Sequence, residues 1–165
     1  MLLKPSCKEI AARLGKKLHA KSLTIATAES CTGGLIGAAI TSVPGSSVWF
    51  RGGIIAYDNA IKTSLLKIPA STLKRYGAVS EETVSAMAAG AAHILGTDCA
   101  VAVSGIAGPD GGTEEKPVGL VYIGAYYHNK IDVNKHQFPG DRESVREQTA
   151  ETALEKVIAL IEPRH

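Results

Sequence analysis

Apolar positions along the chain recur first at helical spacing and then in short β-branched runs. Ile10, Leu14 and Leu18 repeat every four residues and predict a helix over residues 7–20. Ser6 and Glu9, following Pro5, have capping-box spacing and predict that helix's start. Thr24, Ile25 and Thr27 place a strand within residues 22–28. Thr32-Gly33-Gly34 predicts the opening of a helix that carries Leu35, Ile36, Ala39 and Ile40 and stops before Pro44. A second extended stretch lies within residues 48–57, clearest over 53–57, and a short helix follows over 60–66.

Ser80 is a favourable N-cap, and Glu81 and Glu82 suit the positive end of the alanine-rich helix predicted over 81–95, which Gly96 terminates. Residues 99–104 are almost wholly apolar, the pattern of a central strand buried on both faces. A Gly- and Pro-rich loop spans 105–117. Residues 118–127 and 130–138 then form a β-hairpin around Asn129. Asp141 caps a last helix whose apolar side holds Val145, Ala150, Leu154, Val157 and Ile161. The order α-β-α-β-α-α-β-β-β-α predicts a single-domain α/β sandwich over residues 1–165. Helices flank a mixed sheet of about five strands.

Composition narrows the function classes. A chain of 165 residues with 45% hydrophobic residues can bury a full core as one domain. Eighteen basic against 16 acidic residues leave a net charge of +2, and aromatic residues make up 5%. Neither favours a nucleic-acid partner. Three widely spaced cysteines, Cys7, Cys31 and Cys99, form no disulfide framework. The N-terminal stretch is too poor in apolar residues for a signal peptide, and no run approaches the ~20 residues that span a bilayer. The expected setting is a reducing cytoplasm, with no membrane partner.

Candidate chemistry gathers at the strand-to-helix turn holding Ser30. Such turns direct free backbone N–H groups at one point, where they can hold an oxyanion. Gly33 and Gly34, beside Thr32, let a substrate approach the backbone. The plainer alternative is that Ser30 or Thr32 merely caps the helix. A serine needs a base, and the five histidines fall in no triad pattern. Lys62 is the replacement, since burial lowers a lysine's pKa. Taken alone it reads as a solvated surface lysine. Asn59 shares its helical face, and Tyr57 is placed to relay a proton or hold the lysine.

Ser104 and Gly105 open the glycine-rich loop at a strand's C-terminal end, where α/β sheets bind ligands. That loop lacks the P-loop pattern. Arg142 and Arg146, four apart at a helix start, suit a phosphate or simply pair with Glu143 and Glu147. No ligand spacing for a metal is present. Cys31 is the rival nucleophile, because a helix start lowers a thiol's pKa, although a buried inert thiol is the commoner fate.

Six segments occur in order: Thr27-Ala28-Glu29-Ser30-Cys31-Thr32-Gly33-Gly34, Gly45-Ser46-Ser47, Tyr57-x-Asn59-x-x-Lys62, Gly77-Ala78-Val79-Ser80, the run from Ser104 to Gly112, and Lys116-Pro117-Val118-Gly119. Together, over residues 7–160, they closely resemble the C-terminal domain family of the competence/damage-inducible protein CinA. The resemblance implies a stand-alone nicotinamide-nucleotide amidohydrolase that converts nicotinamide mononucleotide to nicotinic acid mononucleotide and ammonia. It implies a Ser30 nucleophile, a Lys62 base, an assisting Tyr57, an α/β fold and self-association into a dimer or higher assembly. No cofactor is expected, because amide hydrolysis moves no electrons between substrate and protein. Two other readings stay open: a pyridine-nucleotide sensor that binds without cleaving, and an amidase of the same mechanism acting on another small amide.

Overall fold

Residues 3–162 are described in the computed structural model. Met1, Leu2 and residues 163–165 lie outside them, and with them the extreme ends of the expected domain, the start of the N-terminal stretch and His165.

Five strands form one sheet: β1 (Ile25–Glu29), β2 (Phe50–Ile55), β3 (Cys99–Gly105), β4 (Leu120–Tyr127) and β5 (Lys130–Gln137). Their order is β2-β1-β3-β4-β5. β1 runs parallel to both β2 and β3, while β4 and β5 are antiparallel additions. This is the mixed five-strand α/β sandwich that the sequence predicts. Alternation along the strands sorts side chains between two cores. Ile25, Val101, Val103 and Ile123 face α1 (Pro5–Ala20), α2 (Leu35–Thr41) and α6 (Arg142–Ile161). Ala26, Ala28, Ala100 and Ala102 face the layer of α3 (Asn59–Ser64), α4 (Ala70–Tyr76) and α5 (Glu81–Leu95). That second face is built from alanines on both sides, Ala88, Ala91 and Ala92 coming from α5, so helix and sheet approach closely.

Several boundaries differ from the sequence expectation for physical reasons. The first helix starts at Pro5, whose fixed φ suits the first helical position, and the capping box does not form. Lys4 is the N-cap without a side-chain bond, and the Ser6 hydroxyl instead donates to Glu151 on α6. The first strand begins at Ile25 rather than near residue 22. Ser22 has φ +54°, and Thr24 is held outside the strand, its amide and hydroxyl both donating to Asp98 at 2.8 Å. Thr32-Gly33-Gly34 does not open a helix. Gly33 and Gly34 have φ +59° and +100°, which helical backbone excludes, and α2 begins at Leu35. Helix α4 is an addition. None of its residues is buried, so it leaves no apolar period to read. Asp141 and Ser80 cap their helices as expected, accepting from the Ser144 and Thr83 amides.

No helix among the described residues is long and apolar enough to cross a membrane. Cys7, Cys31 and Cys99 are all buried and free.

Candidate active site

The strand order reverses direction at β1: the chain passes from β1 to β2 on one side, then back to β3 on the other. Loops at the carboxyl ends of β1, β2 and β3 therefore converge, the place where such sheets hold ligands. A cleft of about 190 Å³ lies there. Its walls include Ser30, Tyr57, Asn59, Lys62, Ser104 and Gly105, with Val79 and Arg142 closing it.

Ser30 directly follows β1. Alternation decides its direction: Glu29 belongs to the α2 face, so Ser30 turns to the α3 face. There Lys62 lies 3.2 Å from the Ser30 hydroxyl. Lys62 is 1% exposed and is the largest fully buried side chain, so it is not a surface lysine. Its Nζ also donates to the carbonyls of Ala56 at 2.7 Å and Tyr57 at 3.2 Å. Burial pushes the Lys62 pKa below its ordinary value of 10.5, against the opposing pull of Asp58 and Cys31. Asp58 is meanwhile held as the N-cap of α3, accepting from the Ala60 amide at 2.7 Å.

The Tyr57 phenol does not hold Lys62; the Tyr57 main chain does. The ring is 62% exposed, and its hydroxyl sits 3.3 Å from the Arg142 guanidinium. Arg142 also donates to the Gly108 carbonyl at 2.7 Å, tying the start of α6 to the glycine-rich loop beside the cleft. Arg146 goes elsewhere. It donates to the carbonyls of Cys31 at 3.2 Å and Thr32 at 2.9 Å and so braces the turn after Ser30. The two arginines that sequence treats alike are thus separated, one lining the cleft and one behind the turn.

Neither Ser30 nor Thr32 caps α2. Glu29 does, a residue that sequence reasoning passed over. Buried to 2% exposure, its carboxylate accepts from the Thr32 hydroxyl at 2.6 Å, the Gly34 and Ile36 amides at 3.1 Å and the Gly37 amide at 2.8 Å. The readable signal was an acidic residue on the opposite strand face from Ser30, just before a helix. The Gly33 amide donates to the Ser30 carbonyl at 3.1 Å and the Ser30 amide to Val103 at 3.1 Å. Gly33 and Gly34 are therefore engaged and are not free oxyanion donors. The Cys31 and Thr32 amides donate to no backbone carbonyl among the described residues.

Cys31 lines the cleft but its thiol is pushed up to about 12, burial being the main cause, so the expected lowering at a helix start does not occur. No group of three or more His, Cys, Asp or Glu side chains is placed to hold a metal among the described residues.

The family model described as the CinA C-terminal domain matches residues 7–161. The chain belongs to the CinA C-terminal domain family. Nicotinamide-nucleotide amidohydrolase PncC of Enterobacter agglomerans is 51% identical over 151 residues, covering 91% of this chain and 92% of that protein. A CinA-like protein of Leptospira borgpetersenii is 50% identical over 90% of this chain, yet the match covers only 36% of that longer protein. Among solved structures, the competence/damage inducible protein CihA of Agrobacterium tumefaciens superposes with a TM-score of 0.95 at 40% identity. That match covers 98% of this chain and 99% of CihA. A competence or damage-inducible protein of Enterobacter asburiae gives 0.92 at 30% identity, with 96% and 100% covered.

Proposed function

We propose that this chain hydrolyses the carboxamide of nicotinamide mononucleotide, giving nicotinic acid mononucleotide and ammonia, with Ser30 as nucleophile and Lys62 as base. The observation that carries the mechanism is the buried Lys62–Ser30 pair at 3.2 Å. The substrate class comes from likeness to PncC along nearly its whole length.

A neutral lysine has two N–H groups and one lone pair. The Ala56 and Tyr57 carbonyls take the two N–H groups, which leaves the lone pair for the Ser30 proton. As Ser30 Oγ bonds to the carboxamide carbon, its proton passes to Lys62 and the carbonyl oxygen becomes an oxyanion. The Cys31 amide, at the cleft wall beside Ser30, is the donor assigned to it. The Lys62 ammonium then protonates the departing nitrogen, the C–N bond breaks, and ammonia leaves an ester on Ser30. Water attacks that ester, giving its proton to Lys62, and Lys62 returns a proton to Ser30 as the acid departs. No electron carrier is involved at any step.

Arg142 binds the phosphate: among the two candidate arginines it is the one that lines the cleft. Asn59, Ser104 and Gly105 supply polar and close-packed wall, and Tyr57 sits with Arg142 at the mouth. Self-association is proposed with it, because β2 leaves an open sheet edge on which Ile55 is exposed. Light scattering of the purified protein tests that.

The deciding experiment measures ammonia from nicotinamide mononucleotide with the wild type and Ser30→Ala. Turnover by the wild type and its loss in a folded Ser30→Ala variant is the expected result. Saturable binding without ammonia from the wild type would instead make the chain a nucleotide sensor, and absence of binding would move the substrate to another small amide.

A further inference from the structure

A serine at the end of a strand, ahead of a helix, is ordinarily drawn into capping that helix. Here the unpaired amides of the first turn of α2 are met by another group. The Glu29 carboxylate takes the Gly34, Ile36 and Gly37 amides together with the Thr32 hydroxyl, so four donors converge on two oxygens. The N-cap residue itself, Gly34, has no side chain to offer. Because neighbouring strand residues point to opposite faces, a carboxylate at position 29 can cap α2 only while position 30 turns to the α3 layer. That is where Lys62 waits, 3.2 Å from Ser30 Oγ.

We infer that Glu29 is a positioning residue: it caps α2 in place of Ser30 and so keeps the Ser30 hydroxyl aligned with Lys62. The inference rests on the Ser30–Lys62 reading above and adds to it a residue that touches neither substrate nor base. The same carboxylate sets the backbone path of the 31–34 turn, to which Arg146 is fastened from behind through the Cys31 and Thr32 carbonyls. Both Gly33 and Gly34 hold positive φ in this turn, so little besides these bonds dictates its course.

The test replaces Glu29 by glutamine, which matches its size but turns an NH₂ toward amide donors and frees the helix end to recruit Ser30. A displacement of about 1 Å at a reacting atom costs about 100-fold in rate. Folded Glu29→Gln is therefore expected to lose about 100-fold in kcat with KM changed less than about 3-fold. The rate at which a small sulfonyl fluoride labels Ser30, followed by intact mass, should fall in parallel. This second readout needs no substrate. Glu29→Asp keeps the charge with a shorter reach and should recover part of both rates; it also carries the test if the glutamine variant does not fold.

A merely structural role would lower the melting temperature while leaving kcat per folded molecule and Ser30 labelling at wild-type values. That outcome overturns the inference. Ser30→Ala, assayed alongside, separates the two levels. If it remains active, the nucleophile assignment itself falls. If it is inactive while folded Glu29→Gln is fully active, only the role of Glu29 falls.

Discussion

Replacing Lys62 by methionine removes the amine while filling nearly the same buried volume. In the wild type Lys62 is 1% exposed and its amine is bonded to Ser30, Ala56 and Tyr57. Loss of a general base costs about 10²- to 10⁴-fold, which is about 2.7–5.4 kcal/mol of barrier at 1.36 kcal/mol per decade. Ammonia release should fall by that factor, and the pH–rate profile should lose its rising limb. On the proposed mechanism that limb reflects deprotonation of Lys62 and lies below 10.5, since burial lowers the pKa. Stability gives an independent check of the same cause. The folded state binds the Lys62 proton less well than the unfolded chain, so between the lowered pKa and 10.5 the unfolded chain carries more protons. Unfolding free energy of the wild type therefore rises with pH in that window, by at most about 1.4 kcal/mol per pH unit. Below the lowered pKa the full penalty is present. The methionine variant lacks this term, so urea unfolding of both proteins over a series of pH values rising to about 10.5 should show the stability difference moving in favour of the wild type within that window. A Lys62→Met enzyme within 3-fold of wild type, or one retaining the rising limb, would refute the base assignment. An unfolding difference that does not move with pH would refute the buried-amine electrostatics.

The two arginines should separate cleanly in steady-state kinetics. Arg142→Ala is expected to raise KM for nicotinamide mononucleotide about 10-fold or more, the loss of a charge-assisted phosphate contact, with a smaller effect on an unphosphorylated nicotinamide riboside. Arg146→Ala should lower kcat and melting temperature together, because Arg146 braces the turn after Ser30; equal KM effects from both variants would contradict the assignment. The cysteines should be unreactive in the native protein. Burial pushes Cys7 up to about 11 and Cys31 and Cys99 up to about 12, so iodoacetamide at pH 8 should modify none within minutes by intact mass, yet all three after denaturation. Rapid native labelling of Cys31 would return it to contention as a nucleophile.

Much of this molecule is legible in the order of its residues. Periodicity over 81–95, the apolar run that became β3, and the hairpin around Asn129 specify a mixed α/β sheet, because each is a local pattern that only one secondary structure can bury. The Ser30, Tyr57, Asn59 and Lys62 motifs are likewise plain in the sequence, and the structure brings them to one cleft. Sequence could not decide direction and burial. Lys62 reads as a surface residue until β2 and α3 fold it beneath Ser30, since its local spacing says nothing of what covers it. Arg142 and Arg146 are alike on a helical wheel, and only the path of the 30–34 turn sends one to the cleft and the other to the turn's carbonyls. The capping box expected at Ser6 gave way to a tertiary partner, Glu151, which took the Ser6 hydroxyl, while at α2 the nearby Glu29, not the alternative caps Ser30 or Thr32, took the free amides. The sequence alone thus determined which groups are present for chemistry and on which scaffold. The packed sheet decided which of them are dry, which way they point and which of them meet, because desolvation and long-range hydrogen bonds exist only once distant segments come together.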